Sequence, residues 1–353
     1  MAQSADIAHR YLAVLSPEDR ERLPFYDALT RALAHNDDAI RLLASAPSRQ
    51  QNPTLILAII HYLALSGHEV LGPLYQSVRE GRITDWATAA ATVSEVVSRD
   101  AILIEQQLHR STQTNEPNRS AVLSRVIADT AHRKSWDRIT LIDVGCSMGL
   151  NLYPDLVSVS DRDTGDPALL VTTNRSRDFI SSPMPEITRR IGIDLNPLSP
   201  RDADDVAWLE ACIWPEEPRR FARFAALVEQ TATWPTPEVI QGHATTVLNQ
   251  LLGEIDGPVI MMNSWVLWYL SAEEQIEFRN MTNRWMAKRN DLAWICVEHP
   301  WIFSNLDLPP MKATHDSAGA TAIVVTTTDE GSTSWGWCHP HGHWFEALSG
   351  PKA

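Results

Sequence analysis

Cysteine is scarce. Cys146, Cys212, Cys296 and Cys338 are the only four in 353 residues, and no two stand in a Cys-x-x-Cys spacing. That excludes a disulfide framework and a thiolate zinc or redox motif. Basic charge is in deficit: 30 Lys and Arg stand against 44 Asp and Glu, a net charge of −14. A general binder of phosphate backbones needs a basic face, so nucleic acid is not an expected partner. Long apolar runs are missing too. The longest, Leu55 to Leu65, is broken by His61 and Tyr62 and falls short of the roughly 20 residues that span a bilayer. The opening MAQSADIAHRYLAVLSPEDR lacks the basic start and apolar core of a secretory signal. The expectation is a cytoplasmic protein with no membrane partner. What is present, 44% hydrophobic and 21% charged residues, belongs to an ordinary globular chain long enough for about two domains.

The first third has helical periodicity. Ile7 to Leu15, Phe25 to Ala34 and Ala39 to Ala46 place apolar residues three and four apart. Pro24 and Pro53 suit first helical positions, with Asn52 a cap before the latter. Trp86 to His109 has the pattern of one longer helix. In RSTQTNEPNRSAVLSRVIADTAHR, Thr114 or Asn115 is an expected cap, Pro117 an expected first-turn residue, and Val122, Val126 and Ile127 the buried stripe. From Ile139 short β-branched runs alternate with helical stretches: ITLIDVG, RIGIDL, Val239 to Gln241, PVIMM and LAWICV. Such alternation predicts a parallel sheet with crossover helices. TAIVVTTTDEGSTSWGWCHPHGHW predicts a closing antiparallel hairpin. The expected organisation is an all-helical domain over 1–135 and an α/β domain over 136–353, with an insertion near 158–186 covering the site.

The richest stretch is Asp143-Val-Gly145-Cys-Ser147-Met-Gly149-Leu150. An acid ends a strand. Gly145 permits a tight turn and close backbone approach, and Gly149 lets the next helix pack near the strand. The amides of that helix start face a polar ligand. The glycines are four apart, unlike G-x-G-x-x-G, and no Gly-Lys-Ser/Thr follows.

The stretch resembles the first motif of class I S-adenosylmethionine-dependent methyltransferases, an acid-x-Gly-x-Gly-x-Gly turn in which Ser147 replaces the middle glycine. The resemblance implies a Rossmann-like methyltransferase sheet closed by an antiparallel hairpin, and S-adenosyl-L-methionine as cofactor. It places Asp143, Gly145, Ser147 and Gly149 near the methionine part of that cofactor. Asp194 and Leu195, 51 and 52 residues after Asp143, would lie at its ribose. Gly242, His243 and Ala244 would border the adenine, and Asn263 and Ser264 would close the fourth strand end. The chain also looks like a bacterial family catalogued only as a domain of unknown function. The shared landmarks are R-S-T-Q-T-N-E-P-N-R at 110–119, D-V-G-C-S-M-G-L-N-L at 143–152, R-I-G-I-D-L-N-P-L at 190–198 and W-L-E-A-C-I-W-P-E at 208–216.

Other residues suit an acceptor site. Gln113, Asn115, Glu116 and Arg119 concentrate hydrogen-bonding groups before a helix, where capping is the competing explanation. Glu298 and His299 follow the fifth strand and are expected catalytic groups, with Glu116 and Glu298 surrounding a cationic nitrogen. A surface loop closed by Pro300 is the plainer account. Trp265, His339 and His341 are expected acceptor contacts. Cys338-His339-Pro-His341-Gly-His343 is dense in metal-ligand types, but Pro340 and Gly342 indicate a loop without an adjacent acid, so no metal is assigned. The overall expectation is a methyltransferase acting on a small polar molecule at an amino or guanidino nitrogen. Two alternatives stand. Gly145 to Gly149 also spells G-x-S-x-G, the nucleophile elbow of a serine hydrolase, with Asp256 and His299 or His339 completing the order. A non-catalytic nucleoside-binding protein is the other.

Overall fold

A computed structural model describes residues 2–176, 179–311 and 319–348. It is a mixed α/β protein with thirteen α-helices among the described residues and a large, mostly parallel sheet. The chain divides into two compact units, Met1–Thr114 with Ser199–Ala222, and Asn115–Leu198 with Arg223–Ala353. The division falls at 114/115 rather than at the expected 135/136, because helix Arg119–Arg133 packs on the sheet.

The helical unit follows local signals closely. Pro24 and Pro53 open helices Pro24–Leu33 and Pro53–Leu65, where their missing N–H costs nothing. Asn36, Asn52 and Asp85 accept backbone N–H bonds at helix starts. The run Leu55 to Leu65 is a core helix, buried almost all round. His61 sits fully buried within it, stacked on Tyr75 and donating from Nδ1 to the Ala211 carbonyl at 3.1 Å. Burial pushes its pKa down to about 3, so it is a neutral core residue. The long helix expected over 86–109 is two, Trp86–Arg99 and Ala101–Glu105, separated at Asp100. The Asp100 carboxylate takes Arg99 at 2.7 Å and His68 at 3.0 Å.

The second unit holds strands β1 (Arg138–Val144), β2 (Ser158–Ser160), β3 (Leu169–Val171), β4 (Thr173–Asn174), β5 (Glu186–Asp194), β6 (Glu238–Gln241), β7 (Val259–Ser264), β8 (Leu292–Glu298), β9 (Thr321–Thr327), β10 (Gly331–Cys338) and β11 (Trp344–Ala347). Nine of them form one sheet, ordered β4-β11-β10-β9-β8-β7-β1-β5-β6. β6, β5, β1, β7 and β8 run parallel, and β9, β10 and β11 follow antiparallel in turn. Strand β1 is buried on both faces, as a central parallel strand must be. Its residues alternate: Ile142 and Val144 join the core with Leu248, Leu251 and Phe278, while Ile139 and Leu141 meet Val122, Val126 and Ile127 of helix Arg119–Arg133. The predicted helical stripe is therefore the sheet-facing one.

Three local expectations are corrected. Helix Arg119–Arg133 starts two residues past Pro117, and Asn118 at its cap position makes no side-chain cap bond. The apolar helix expected after the glycine turn is a single 3-10 turn, Leu150–Leu152, stopped by Pro154, which cannot continue a helical ladder. The insertion near 158–186 forms the small parallel pair β2–β3 and lends β4 to the main sheet beside β11, so its described part lies against the closing hairpin.

Candidate functional site

The sheet has one topological switch point. From β1 the chain builds outward to β5 and β6 on one side and to β7 and β8 on the other. Ligands of open α/β sheets bind in the crevice outside the carboxyl ends of the strands at this point. The glycine turn 145–149 leaves β1 there. Gly145, Ser147 and Gly149 all have positive φ, of 73°, 53° and 74°. Glycine adopts this region freely, whereas Ser147 pays about 1–2 kcal/mol for it.

The turn's own amides are largely engaged. Gly145 and Cys146 N–H donate to the Ile193 carbonyl at 2.7 and 3.2 Å. Ser147 N–H donates to Asp194 Oδ2 at 2.8 Å, and Asn196 N–H to Asp194 Oδ1 at 2.8 Å. Leu150 N–H donates to Asn115 Oδ1 at 3.0 Å. Asn115 thus caps the turn after Gly149, not its own helix. A Cβ on Gly145 would meet Val266 Cγ2 at 2.4 Å, so the close approach that this glycine permits is to the protein's own side chain. Gly149 meets only Leu152 and Pro237 at 3.4 and 3.9 Å.

Asp143 ends β1 at 4% exposure. Burial first, and neighbouring Asp194 second, push its pKa up to about 8, against the pull of Arg119. Asp194 ends β5, half-buried. The exposed Leu195 follows, its carbonyl held by Gln241 Nε2 at 2.9 Å. Gly242 N–H donates to the Asp194 carbonyl at 2.9 Å. His243 then stands exposed as the residue before helix Ala244–Glu254. Asp143, Ser147, Asp194, Leu195, Gly242, His243 and Ala244 are therefore gathered along one edge.

Asn263 and Ser264 reach the same edge but differ. Asn263 is spent inside the protein: Nδ2 donates to Glu298 Oε1 at 2.8 Å and Oδ1 accepts from Trp294 Nε1 at 2.7 Å. Ser264 Oγ has no hydrogen-bond partner among the described residues. Trp265 follows with φ of 58°, rare for a bulky residue and costly to hold. Its indole N–H donates to Thr321 Oγ1 at 3.2 Å.

The two carboxylates expected to embrace an acceptor's nitrogen instead flank a cation of this chain. Arg119 is buried, which lowers its pKa, while Glu116 and Glu298 both act to hold the charge. Its Nε and Nη1 donate to the Pro340 and Ser264 carbonyls at 2.8 and 3.2 Å. Glu298 is wholly buried. Its Oε1 accepts from Asn263 Nδ2, Val266 N–H and Leu267 N–H at 2.8, 2.6 and 2.9 Å, and Oε2 has no partner among the described residues. Burial raises its pKa. Glu298 organises the turn after β7. His299 Nδ1 accepts the Trp301 amide at 3.3 Å, so the neutral ring carries its proton on Nε2. The ring packs among Trp265 and Trp268, 6.3 and 5.2 Å between centroids. Gln113 belongs to the helical unit, where its backbone bonds the Cys212 thiol. His339 and His341 form a cluster with His343 at the tip between β10 and β11, their ligand atoms within 4.8 Å of one another. A cleft of about 260 Å³ beside Ser124, Asp155 and Met184 is lined by other residues and lies below the usual ligand-site range.

Two of the four landmark runs find structural explanations. In 190–198, a Cβ on Gly192 would strike Cys146 Sγ at 2.6 Å. In 208–216, Trp208 Nε1 donates to the Ser111 carbonyl at 3.0 Å, and Glu216 accepts the amides of Phe25 and Tyr26 at 2.7 and 3.1 Å. A family model covering residues 8–347 matches the chain. The chain belongs to DUF2332, described as "Uncharacterized protein conserved in bacteria". A comparison with curated proteins finds no match for this DUF2332 chain. Sequence reasoning missed Val266 and gave Asn118 no role beyond its place in the run 110–119. Val266 carries no motif of its own, and only the tertiary contacts give either residue a role.

Proposed function

We propose that the second unit is a Rossmann-like methyl-donor site, and that the protein is an S-adenosylmethionine-dependent methyltransferase acting on a small polar acceptor at an amino or guanidino nitrogen. One observation carries the reading: a buried acid, Asp143, stands at the switch point of the sheet beside a second acid, Asp194, each at the carboxyl end of its strand. Paired carboxyls in a shielded crevice favour a cationic ligand, and a sulfonium with an amino group is one.

The donor fits this edge in part. Each Asp194 oxygen accepts one backbone amide and keeps lone-pair capacity for ribose hydroxyls. Leu195 and His243 are exposed on either side for an adenine face. Over Gly145 the space belongs to Val266, so the methionine part would lie along Ser147 to Gly149 instead. When bound, the donor supplies a methyl group already activated by its positive sulfur. The protein's work is alignment, with reacting atoms about 3–3.5 Å apart. Asp143 gives up its proton as the cation arrives. Ser264 Oγ and the Trp265 ring border the acceptor side. Glu298 is committed to its turn, Glu116 is buried and acts on Arg119, and His299 presents an N–H, so the acceptor nitrogen enters in its neutral form.

Calorimetry with S-adenosylmethionine and S-adenosylhomocysteine tests this. The sulfonium donor should bind with proton release, seen as a dependence of the heat on buffer ionisation. Asp143→Asn should abolish the release. Asp194→Ala should weaken binding by about 1.5–3 kcal/mol, roughly 10- to 150-fold. Absence of binding of either nucleoside overturns the reading. Methyl transfer from labelled donor into a metabolite extract separates an enzyme from a non-catalytic binder.

Hydrolysis through Ser147 is favoured by one observation, the strained φ of 53° at a strand-to-turn elbow. Its expected acid Asp256 precedes β7, at the opposite end of the sheet from Ser147, as the parallel register of β1 and β7 requires. Ser147→Gly divides the two: donor binding survives with the strain relieved, whereas a Ser147 nucleophile is lost.

A further inference from the structure

We propose that His339, His341 and His343 form a three-imidazole site for a divalent transition ion of the zinc class, with a fourth position open to water or to an anionic oxygen. The inference does not depend on methyl transfer, because it uses no residue of the donor edge as a ligand.

The three side chains come from one short loop, and their ligand atoms lie within 4.8 Å of one another. Ring centroids are 4.6 Å apart for 339–343, 5.5 Å for 339–341 and 6.1 Å for 341–343. Imidazoles this close cannot all become charged without repulsion, whereas a shared cation satisfies them together. A tetrahedral zinc with bonds of about 2.0–2.1 Å places its nitrogens about 3.3–3.4 Å apart. Modest ring rotations close that difference. Neutral nitrogen donors select zinc, cobalt, nickel or copper over magnesium and calcium, which prefer oxygen.

The loop is held from outside, as a metal site's supporting shell must be. His339 N–H donates to the Trp344 carbonyl at 3.0 Å, and Gly342 N–H to the His339 carbonyl at 2.8 Å. Gly342 has φ of 70°, and a Cβ there would strike the Asn118 carbonyl oxygen at 2.2 Å. Asn118 Nδ2 reaches the His341 carbonyl at 3.3 Å and lies 3.4 Å from His343 Nδ1. Its orientation is fixed by Val171, whose N–H donates to Oδ1 at 2.7 Å and whose carbonyl accepts from Nδ2 at 2.6 Å. The adjacent cation, Arg119, directs its N–H groups at the Pro340 and Ser264 carbonyls and is balanced by Glu116 and Glu298. Two adjustments accompany loading. His339 Nδ1 accepts the His341 amide at 3.0 Å and His343 Nδ1 accepts from Asn118 Nδ2 at 3.4 Å, which leaves the proton of each neutral ring on Nε2. Coordination requires each Nδ1 to exchange its donor for the ion, or the ring to change tautomer or turn.

The test uses untagged full-length protein stripped with a chelator, then titrated with Zn²⁺ in competition with a chromophoric chelator. One ion per chain is expected. His341→Ala and His343→Ala should each weaken binding by more than the about 10- to 100-fold that loss of a supporting residue costs; the distant His35→Ala should not. Loading with Co²⁺ should give visible bands of a four- or five-coordinate ion, absent in His341→Ala. The His341 amide resonance should shift on addition of Zn²⁺. Failure of the stripped wild-type protein to take up one equivalent overturns the proposal without recourse to any variant. So does an affinity unchanged in His341→Ala that keeps the wild-type circular dichroism.

Discussion

Gly145 shows how one position can be decided by a neighbour far along the chain. Its φ of 73° already disfavours other residues, and Val266 Cγ2 lies 2.4 Å from where a Cβ would sit. Gly145→Ala should therefore lower stability by about 1–3 kcal/mol from backbone strain and overpacking together. Adding Val266→Ala should recover the steric share only, and denaturant unfolding of the single and double variants measures the split. Equal loss in both would mean that the contact carries nothing. Asp143 gives a pH-dependent counterpart. Its pKa in the folded chain is about 8, raised from the ordinary 3.8 by burial and by Asp194, so the folded state binds the proton more tightly than the unfolded state. That stability is fully present below about 3.8 and is lost as pH rises through about 8. Between those limits the wild type should lose stability relative to Asp143→Asn, which carries no such proton. Parallel unfolding curves for the two proteins across this window would sink the assignment.

At the scale of elements, buried and half-buried acids do structural work at helix and turn starts. Glu216 receives the Phe25 and Tyr26 amides at the first turn of helix Pro24–Leu33, where a negative charge also suits the helix dipole. Burial pushes its pKa up to about 7. Glu216→Ala should cost about 1–2 kcal/mol, read from thermal unfolding. Glu298 does similar work for the turn after β7, accepting three donors on one oxygen. Hence the residue that looked like an acceptor-binding acid is an anchor, and its neighbourhood holds Arg119 rather than an outside guanidinium. The closing hairpin was legible as an alternating pattern about a Asp-Glu-Gly-Ser turn, and it forms as β9 and β10. The added strands β4 and β11 were not, because pairs of two to four residues carry too little periodicity.

For the whole molecule, net charge is the property that acts at a distance. At −14 the protein should show no measurable retention of a double-stranded oligonucleotide at about 0.15 M salt, where screening is already within about 8 Å. Tight binding in a fluorescence anisotropy titration would contradict it. No helix among the described residues is long and apolar enough to cross a membrane. The division into two units differs from the sequence estimate for a physical reason. Helix Arg119–Arg133 is as helical as its predecessors, but its Val122, Val126 and Ile127 stripe finds its partners on β1 and β7.

Local chemistry alone settled most of the helices and the longer strands, the parallel character of the sheet's centre, and the edge on which an acid and a glycine turn stand together. These follow from period, caps and the φ freedom of glycine, all properties of neighbours in sequence. Only tertiary structure decided what each polar side chain does there. Asn115 caps residue 150, Asn263 serves Glu298 and Trp294, and Glu116 and Glu298 hold an internal arginine. A side-chain hydrogen bond to a group thirty or more residues away depends on the fold that closes the distance, and no spacing in the chain records it.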